Sequence, residues 1–337
     1  MEKCDLLIIG GGPSGLTAAK FAAKKGLRVL VIEEKKEIGI PVRCAGYVPW
    51  QIKKEIELKQ DVIAQRIESM KTYFPDGDMI ETKASGFIIH RLLFDKQLAN
   101  EAIYEGAKIL LNTKAIGIED NYVFAKRDGK LLKIKPDFIM GADGPYSIVG
   151  RWIGQINRDF LFTAQREMRL LGPSSSIEVY FHKEIPGGYG WLFPKDDKAK
   201  VGVGVDLRFK ISPDQSLARF IEFLIKQGRV APLENKFVKK AISVGGILKN
   251  IFYKNMCLVG DSAGTCHPIT GAGILNAIVS GRMAGENLNN YEEECKFLFE
   301  EPLKKAGEQR KAIDWSLSND KLSLAIKKIW KALIMSD

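Results

Sequence analysis

Nowhere in the 337 residues does an apolar run approach the ~18 residues of a membrane span, which argues against an integral membrane protein. Cysteine is sparse: Cys4, Cys44, Cys257, Cys266 and Cys295 are scattered, odd in number and without a C-x-x-C pair. That argues against a disulfide framework and against a structural zinc site. Histidine occurs three times, at His90, His182 and His267, so far apart in sequence that nothing supports a metal site, and none is assigned. Repeats, low-complexity tracts and linkers are missing as well. So is any motif for nucleic acid, so no nucleic-acid partner is expected. The first apolar strand begins by Cys4, leaving no room for a signal peptide. The expected localisation is cytoplasmic, with peripheral contact at the cytoplasmic membrane face as a second option.

What is there describes an ordinary globular chain. Hydrophobic residues make up 45% and charged residues 27%, and the length suits about two domains. Lys and Arg exceed Asp and Glu by 51 to 41, a formal charge of +10. Such an excess attracts anionic lipid or a phosphorylated substrate; it also serves as a lysine-rich surface for solubility or heat.

The most informative stretch is Leu6-Leu7-Ile8-Ile9-Gly10-Gly11-Gly12-Pro13-Ser14-Gly15-Leu16, an apolar strand running into G-x-G-x-x-G and then a helix pattern. Gly10 permits the tight turn, Gly12 lets backbone approach a pyrophosphate, and Gly15 lets helix and strand pack closely. The helix start around Ser14 offers free N–H groups and partial positive charge. A second strand, Arg28 to Ile32, ends at Glu33, roughly 20 residues after the turn, where an adenosine ribose needs an acceptor.

Residues 1–34 therefore read as β-α-β. The spacing predicts a helix over 51–70, short strands at Met70–Phe74 and Met79–Thr82 around a Pro75-Asp76-Gly77 turn, and a helix over 91–106. Strands follow at 108–111, 122–125 and 137–140. From about 160 to 245 the pattern turns to alternating strands at Arg166–Leu170, Ile177–Phe181, Tyr189–Phe193 and Val201–Val205, with one helix at Leu217–Gln227. A buried strand, Met256 to Val259, precedes a long helix from Ile274 onward. The expected fold is α/β, a Rossmann-like dinucleotide domain with an inserted antiparallel β-sheet domain and a short C-terminal helical tail. The expected boundaries are 1–66, 91–158 and 246–290 for the nucleotide domain, 67–90 and 159–245 for the substrate domain, and 291–337 for C-terminal helices. In that tail Leu322, Ala325, Ile326, Ile329, Trp330, Leu333 and Ile334 share one helical face, with Lys321, Lys327, Lys328 and Lys331 mostly away from it. Such a basic helix can lie on a membrane or, more often, pack on its own domain.

Three more motifs follow in order: His90-Arg91-Leu92-Leu93-Phe94-Asp95 opening a helix; Gly141-Ala142-Asp143-Gly144-Pro145-Tyr146-Ser147 after an apolar strand; and Leu258-Val259-Gly260-Asp261-Ser262-Ala263-Gly264 with His267-Pro268-Ile269-Thr270-Gly271-Ala272-Gly273-Ile274. With the N-terminal fingerprint they resemble the p-hydroxybenzoate-hydroxylase-like FAD superfamily over residues 1 to about 290. The resemblance implies FAD as cofactor. It implies that Arg91 contacts the flavin end, that the Asp143-Gly144 turn supports the pyrophosphate region, and that Gly260-Asp261 binds the ribityl chain. The Gly271-Ala272-Gly273-Ile274 turn would aim a helix N-terminus at the anionic edge of reduced flavin.

Two stretches are similar to the geranylgeranyl reductase family, of the archaeal digeranylgeranylglycerophospholipid type. Pro41-Val42-Arg43-Cys44-Ala45-Gly46 matches the flavin-proximal segment with its cysteine, making Arg43, Cys44, Ala45 and Gly46 cofactor candidates and Cys44 the catalytic candidate. Tyr189-Gly190-Trp191-Leu192-Phe193-Pro194, then Gly202-Val203-Gly204, matches the substrate motif. Independently, Tyr189, Trp191 and Phe193 on a strand point to one face, and Gly202 and Gly204 share one face of the next. An aromatic stripe beside bare backbone forms a groove for a thin apolar chain; the stripe taken alone also fits a core strand. The family implies saturation of C=C bonds in a prenyl chain on an ether lipid, diphosphate or quinone, by hydride from reduced flavin. Two other classes fit the same fold: a flavin monooxygenase or epoxidase of a lipophilic substrate, and a non-catalytic membrane-associated flavoprotein. No second nucleotide fingerprint names the electron donor, so NADPH, reduced ferredoxin or another carrier all fit, and an electron-transfer protein is a candidate partner beside the prenylated substrate.

Overall fold

The computed structural model describes residues 2–317 and 326–330. Its helices are α1 (Pro13–Lys24), α2 (Arg91–Tyr104), α3 (Ile148–Trp152), α4 (Pro213–Lys226), α5 (Ile274–Glu286) and α6 (Tyr291–Leu317), and residues 326–330 are also helical. The chain forms two compact units. The first holds Met1–Val42, Arg91–Asp159 and Ser243–Lys305; the second holds Arg43–His90, Phe160–Ile242 and the chain from Ala306 onward.

The first unit is built on a parallel sheet. Its strands run in the order Met256–Leu258, Lys130–Gly141, Glu2–Ile9, Val29–Ile32 and Lys108–Leu110, each parallel to the next. Leu6, Leu7 and Ile8 at its centre are wholly buried, as a strand covered on both faces requires. Leu7 lies in register with Leu30 on one side and Ile139 on the other. Helix α1 presents Ala18, Ala19, Ala22 and Ala23 to this core.

Contact between α1 and α5 is closer than side chains would allow. A Cβ on Gly281 would lie 2.3 Å from the Ser14 carbonyl oxygen, and one on Gly285 would lie 2.6 Å from that of Ala18. Ser14 meets Gly281 and Ala18 meets Gly285, so the two helices run in the same direction with their N-termini at one end.

The second unit is a nine-stranded sheet. Its path is Val230–Ala231, Phe160–Leu170, Lys198–Val205, Tyr189–Lys195, Ser176–Tyr180, Ile63–Tyr73, Met79–Ile89 and Tyr47–Pro49, with Val238–Ser243 beside Phe160–Leu170. Ser176–Tyr180 and Ile63–Tyr73 pair in parallel, whereas the neighbouring central pairs are antiparallel. Helix α4 covers one face. Ser212 accepts the Gln215 N–H at 3.2 Å as its N-cap, Pro213 opens it, and Leu217, Phe220 and Leu224 pack on Leu192, Val201, Val203 and Val205. Strand alternation turns Tyr189, Trp191, Phe193, Gly202 and Gly204 to the other face.

Three expectations need correction. The helix over 51–70 is instead two short 3-10 turns, Trp50–Lys54 and Gln60–Val62, followed by the strand from Ile63. Ile56, Ile63 and Ile67 do recur at helical spacing, but the chain from Ile63 is paired on both sides, and long-range pairing of β-branched residues overrides a local period. Residues 43–66, expected with the nucleotide domain, belong to the second unit. The tail is not a unit of its own: it divides at Ala306, and its Ile326 and Trp330 are fully buried in the second unit. Trp330 is therefore not an interfacial membrane residue; Leu322, Ala325, Leu333 and Ile334 lie outside the described residues.

The glycine contact generates a test. Gly281→Ala must push α1 and α5 apart and should cost about 1–3 kcal/mol. Gly307→Ala in α6, where a Cβ meets nothing within 4 Å, should stabilise instead, by about 0.5–1 kcal/mol. Thermal midpoints of the two variants moving in opposite directions are the expected result.

Candidate functional site

In the first unit the glycines of the fingerprint have distinct duties. Gly10 has φ +112°, and a Cβ there would lie 2.3 Å from the Ala142 carbonyl oxygen. A Cβ on Gly15 would lie 2.2 Å from the Gly10 carbonyl oxygen. Both are demanded by the protein's own backbone. Gly12 differs: a Cβ there meets nothing within 4 Å. Glu33 is buried, and its carboxylate accepts the N–H of Gly11 at 2.7 Å and of Lys35 at 2.9 Å. It clamps the glycine turn as well as presenting an acceptor.

Neither α1 nor α5 has a side-chain N-cap or an acid in its first turn. Both ends present backbone N–H groups and carry partial positive charge. From the contact at Ser14 and Gly281, α5 starts seven residues back and α1 one, a stagger of about 9 Å along the axis at 1.5 Å per residue. Gly260 is wedged between the helices: its N–H donates to Ser280 Oγ at 3.0 Å, and a Cβ would meet Ser14 Oγ at 2.7 Å.

Around these ends the loops are braced by side chains. Asp143 accepts from Ser147 Oγ at 2.6 Å, from the Ile148 N–H at 2.6 Å and from Ser262 Oγ at 3.3 Å. Burial still pushes its carboxyl above the usual carboxylate range. The Gly144 N–H donates to Ser262 Oγ at 3.0 Å, tying the Asp143-Gly144 turn to the Gly260-Asp261 turn. Asn157 Nδ2 donates to the Pro145 carbonyl at 3.2 Å and the Asp261 carbonyl at 3.0 Å. His267 Nδ1 accepts the N–H groups of Ile269 and Thr270 at 3.3 and 3.2 Å and shapes the loop into Gly271, Ala272 and Gly273. Asp261 Oδ1 lies 3.2 Å from where a Cβ of Gly273 would stand, so the acid sits at the start of α5 beside Ile274. Arg91 opens α2 and is held by Asp95 at 3.0 Å.

Gly10, Gly12, Ser14, Gly15, Gly260, Asp261 and Gly273 are thus brought to one end of the α1–α5 pair. Two uncapped positive helix ends, open space at Gly12 and an acid between them fit a dinucleotide with a diphosphate and a polyol, as in FAD. Ser147, Ser262, Asn157 and His267 were not assigned from sequence. Ser147, Ser262 and His267 stood inside recognised motifs, whereas Asn157 offered no signal.

Arg43, Cys44, Ala45 and Gly46 lie in the second unit. Gly46 has φ +94°, its carbonyl accepts the Ile89 N–H at 2.9 Å, and Cys44 is a half-buried free thiol. On the sheet face opposite α4 the aromatic row is continuous. Ring centroids are 6.1 Å apart for Tyr189–Trp191, 6.5 Å for Trp191–Phe193 and 6.1 Å for Phe193–Tyr47. The reading of Gly202 as bare groove floor needs correction: a Cβ there would lie 2.2 Å from Trp191 Cζ2, so the indole itself lies in that space. Gly204 has its nearest atom at 3.6 Å and would tolerate a Cβ. Beside the indole, buried Gln165 has neither amide atom paired, and Trp191 Nε1 has no hydrogen-bond partner.

Residues 8–53 match the NAD(P)-binding Rossmann-like domain, and residues 163–242 match the geranylgeranyl reductase catalytic domain. A digeranylgeranylglycerophospholipid reductase of Methanosarcina acetivorans is 37% identical over 305 residues, 84% of this chain and 74% of that protein. One from Thermoplasma volcanium is 32% identical, covering 96% and 88%. A solved structure of a geranylgeranyl bacteriochlorophyll reductase-like protein from Thermoplasma acidophilum superposes with a TM-score of 0.85 at 28% identity, covering 98% and 96%. Aklavinone-11 hydroxylase, solved with FAD and aklavinone, gives 0.70 at 17% identity, covering 98% and 71%, a likeness of fold alone.

The glycine geometry separates ligand from fold. Gly12→Ala should leave the apoprotein's thermal stability within about 1 kcal/mol and weaken FAD binding roughly tenfold or more. Gly15→Ala should lose the fold along with the flavin. Melting curves and retained flavin absorbance check both.

Proposed function

The chain belongs to the geranylgeranyl reductase family, and from that premise we propose that it saturates C=C bonds in the prenyl chains of an archaeal-type ether lipid, as an FAD-dependent oxidoreductase. The observation that carries this reading is the continuous aromatic row of Tyr189, Trp191 and Phe193 on the sheet face opposite α4, within the stretch that matches the catalytic domain. When bound, FAD supplies the hydride. The chain's own residues handle what an unactivated alkene lacks. As hydrogen is added to one carbon, positive charge builds on the methyl-bearing carbon. Aromatic faces stabilise such charge by ~2 kcal/mol when water is excluded. Tyr189, Trp191 and Phe193 supply those faces and hold the thin chain. Cys44 delivers the proton to the less substituted carbon and is reprotonated from water, and the hydride that bound FAD would supply closes the cation on the methyl-bearing carbon, so each bond gains one hydrogen pair. In the first unit, the α1 N-terminus takes the diphosphate of FAD, Glu33 its ribose, Asp261 its ribityl chain, and the α5 N-terminus the edge that becomes anionic on reduction.

Substrate access draws on the protein's charge. Among the described residues no helix is long and apolar enough to cross a membrane. Ile326 and Trp330 are buried within the second unit rather than open to a bilayer. The +10 formal charge is the feature that draws the protein to a phosphorylated lipid or an anionic membrane surface.

Protein reduced anaerobically with dithionite should be reoxidised by a geranylgeranyl glyceryl ether phospholipid, with product mass rising by one hydrogen pair per bond. Reoxidation only on admitting air would sink the reading. Cys44→Ala should slow that anaerobic reoxidation about 10²-fold or more, as expected for a positioned proton donor. Normal turnover in this variant would remove Cys44 from the reaction.

A further inference from the structure

One aromatic ring on the sheet face opposite α4 comes from outside the sheet. Trp330, on the helical stretch 326–330, packs edge-on against Phe181 with centroids 5.0 Å apart and lies 6.2 Å from Tyr189. Phe181 in turn meets Tyr189 at 6.3 Å and Phe74 at 6.0 Å. The row that begins at Tyr47 and Phe193 and passes Trp191 therefore ends at Tyr189 in a cluster of Phe181, Phe74 and Trp330. Phe74 and Phe181 are each 4% exposed and Trp330 is 1% exposed, so this end is closed.

Trp330 is held in place by more than packing. Its Nε1–H donates to Thr72 Oγ1 at 2.8 Å, and Thr72 is wholly buried. A buried hydrogen bond of this kind fixes the indole's orientation as well as its position. One turn earlier, Lys327 pairs with Asp76 and Asp78 at 2.5 Å each, on the turn joining Ile63–Tyr73 to Met79–Ile89. Ile326 is fully buried beside them. An apolar contact alone would accept many side chains; a directed N–H bond and a two-carboxylate clasp specify one placement.

Resting on the reductase reading above, we propose that Trp330 is a specificity-determining residue: it forms the closed end of the prenyl groove at Tyr189 and sets how far a prenyl chain can advance along the aromatic row. A chain that reaches the indole stops there, which fixes both the longest chain accepted and which double bonds come into reach.

The test compares wild type, Trp330→Ala, Trp330→Phe and Thr72→Val, each FAD-loaded, using anaerobic single-turnover reoxidation. The substrates are prenyl diphosphates of 15, 20 and 25 carbons, with mass spectrometry locating the saturated bonds. Trp330→Ala should raise the rate for the 25-carbon chain relative to the 20-carbon chain about tenfold and shift the position of saturation. Trp330→Phe should lie between, and Thr72→Val should broaden the bond distribution while keeping the chain-length order. Should Trp330→Ala fail to fold, judged by its melting curve, Trp330→Leu carries the same comparison. An active, flavin-loaded variant with unchanged chain-length ratio and unchanged bond positions would overturn the inference alone. Wild-type protein inert toward every prenyl chain, including the glyceryl ether, would overturn the reductase reading and this inference with it.

Discussion

The backbone contact between α1 and α5 is the constraint from which the first unit's chemistry follows. Ser14 and Ala18 meet Gly281 and Gly285 with no side chain between them. At that distance the two helices can only run together, so both N-termini emerge at one end of the parallel sheet. Their stagger places two separate patches of positive partial charge along one line. A single helix end would serve a phosphate; two, uncapped and offset, serve a ligand with negative charge in two places. Ser14, Gly260 and Ser280 then act as spacers that keep the offset, and Asp143, Ser147, Ser262 and Asn157 lock the loops that wrap the ends.

The second unit uses glycine to the opposite purpose. Gly281 lets backbone meet backbone, whereas Gly202 lets a side chain lie flat on a strand. Trp191 occupies the space that a Cβ on Gly202 would fill. Without that glycine the indole would stand upright and break the aromatic row. Helix α4 packs on the alternate residues Leu192, Val201, Val203 and Val205, so the sheet's larger core lies on its other face. The aromatic face carries a separate, smaller cluster in which Tyr47 and Phe193 pack against Ile67, Ile88 and Ile177.

Much of this was legible in the sequence, for reasons that differ by element. The dinucleotide turn was readable because its glycines recur at a fixed spacing between a strand and a helix: Gly10 takes φ +112° and Gly15 meets the Gly10 carbonyl, although Gly10 also meets Ala142 from a distant strand. The strand pair 189–195 and 198–205 was readable because period-2 alternation is a local signature. The strand from Ile63 was not, since its pairing partners lie on both sides and only one of them is near in sequence. The division of 43–66 and of the tail depends on contacts far apart in the chain, as with Trp330 and Thr72, which are separated by 258 positions. Bracing residues such as Asn157 escape for the same reason: a lone amide acquires its meaning from two carbonyls that only the fold brings to it.

One arrangement breaks a rule of good cores. Gln165, Gly202 and Trp191 stand side by side on three neighbouring strands, and the Gln165 amide and the Trp191 N–H are buried without partners. Each such group costs about 1–3 kcal/mol. An apolar residue at 165 would remove that cost; on the far face of the same strand Ala164 and Met168 are apolar and join the core, and Arg166 between them donates to the carbonyls of Leu233 and Asn235. Violations of this kind are tolerated where function offsets them. Their location is informative: they fall in the middle of the aromatic row, beside the one indole whose place a glycine has been kept to make.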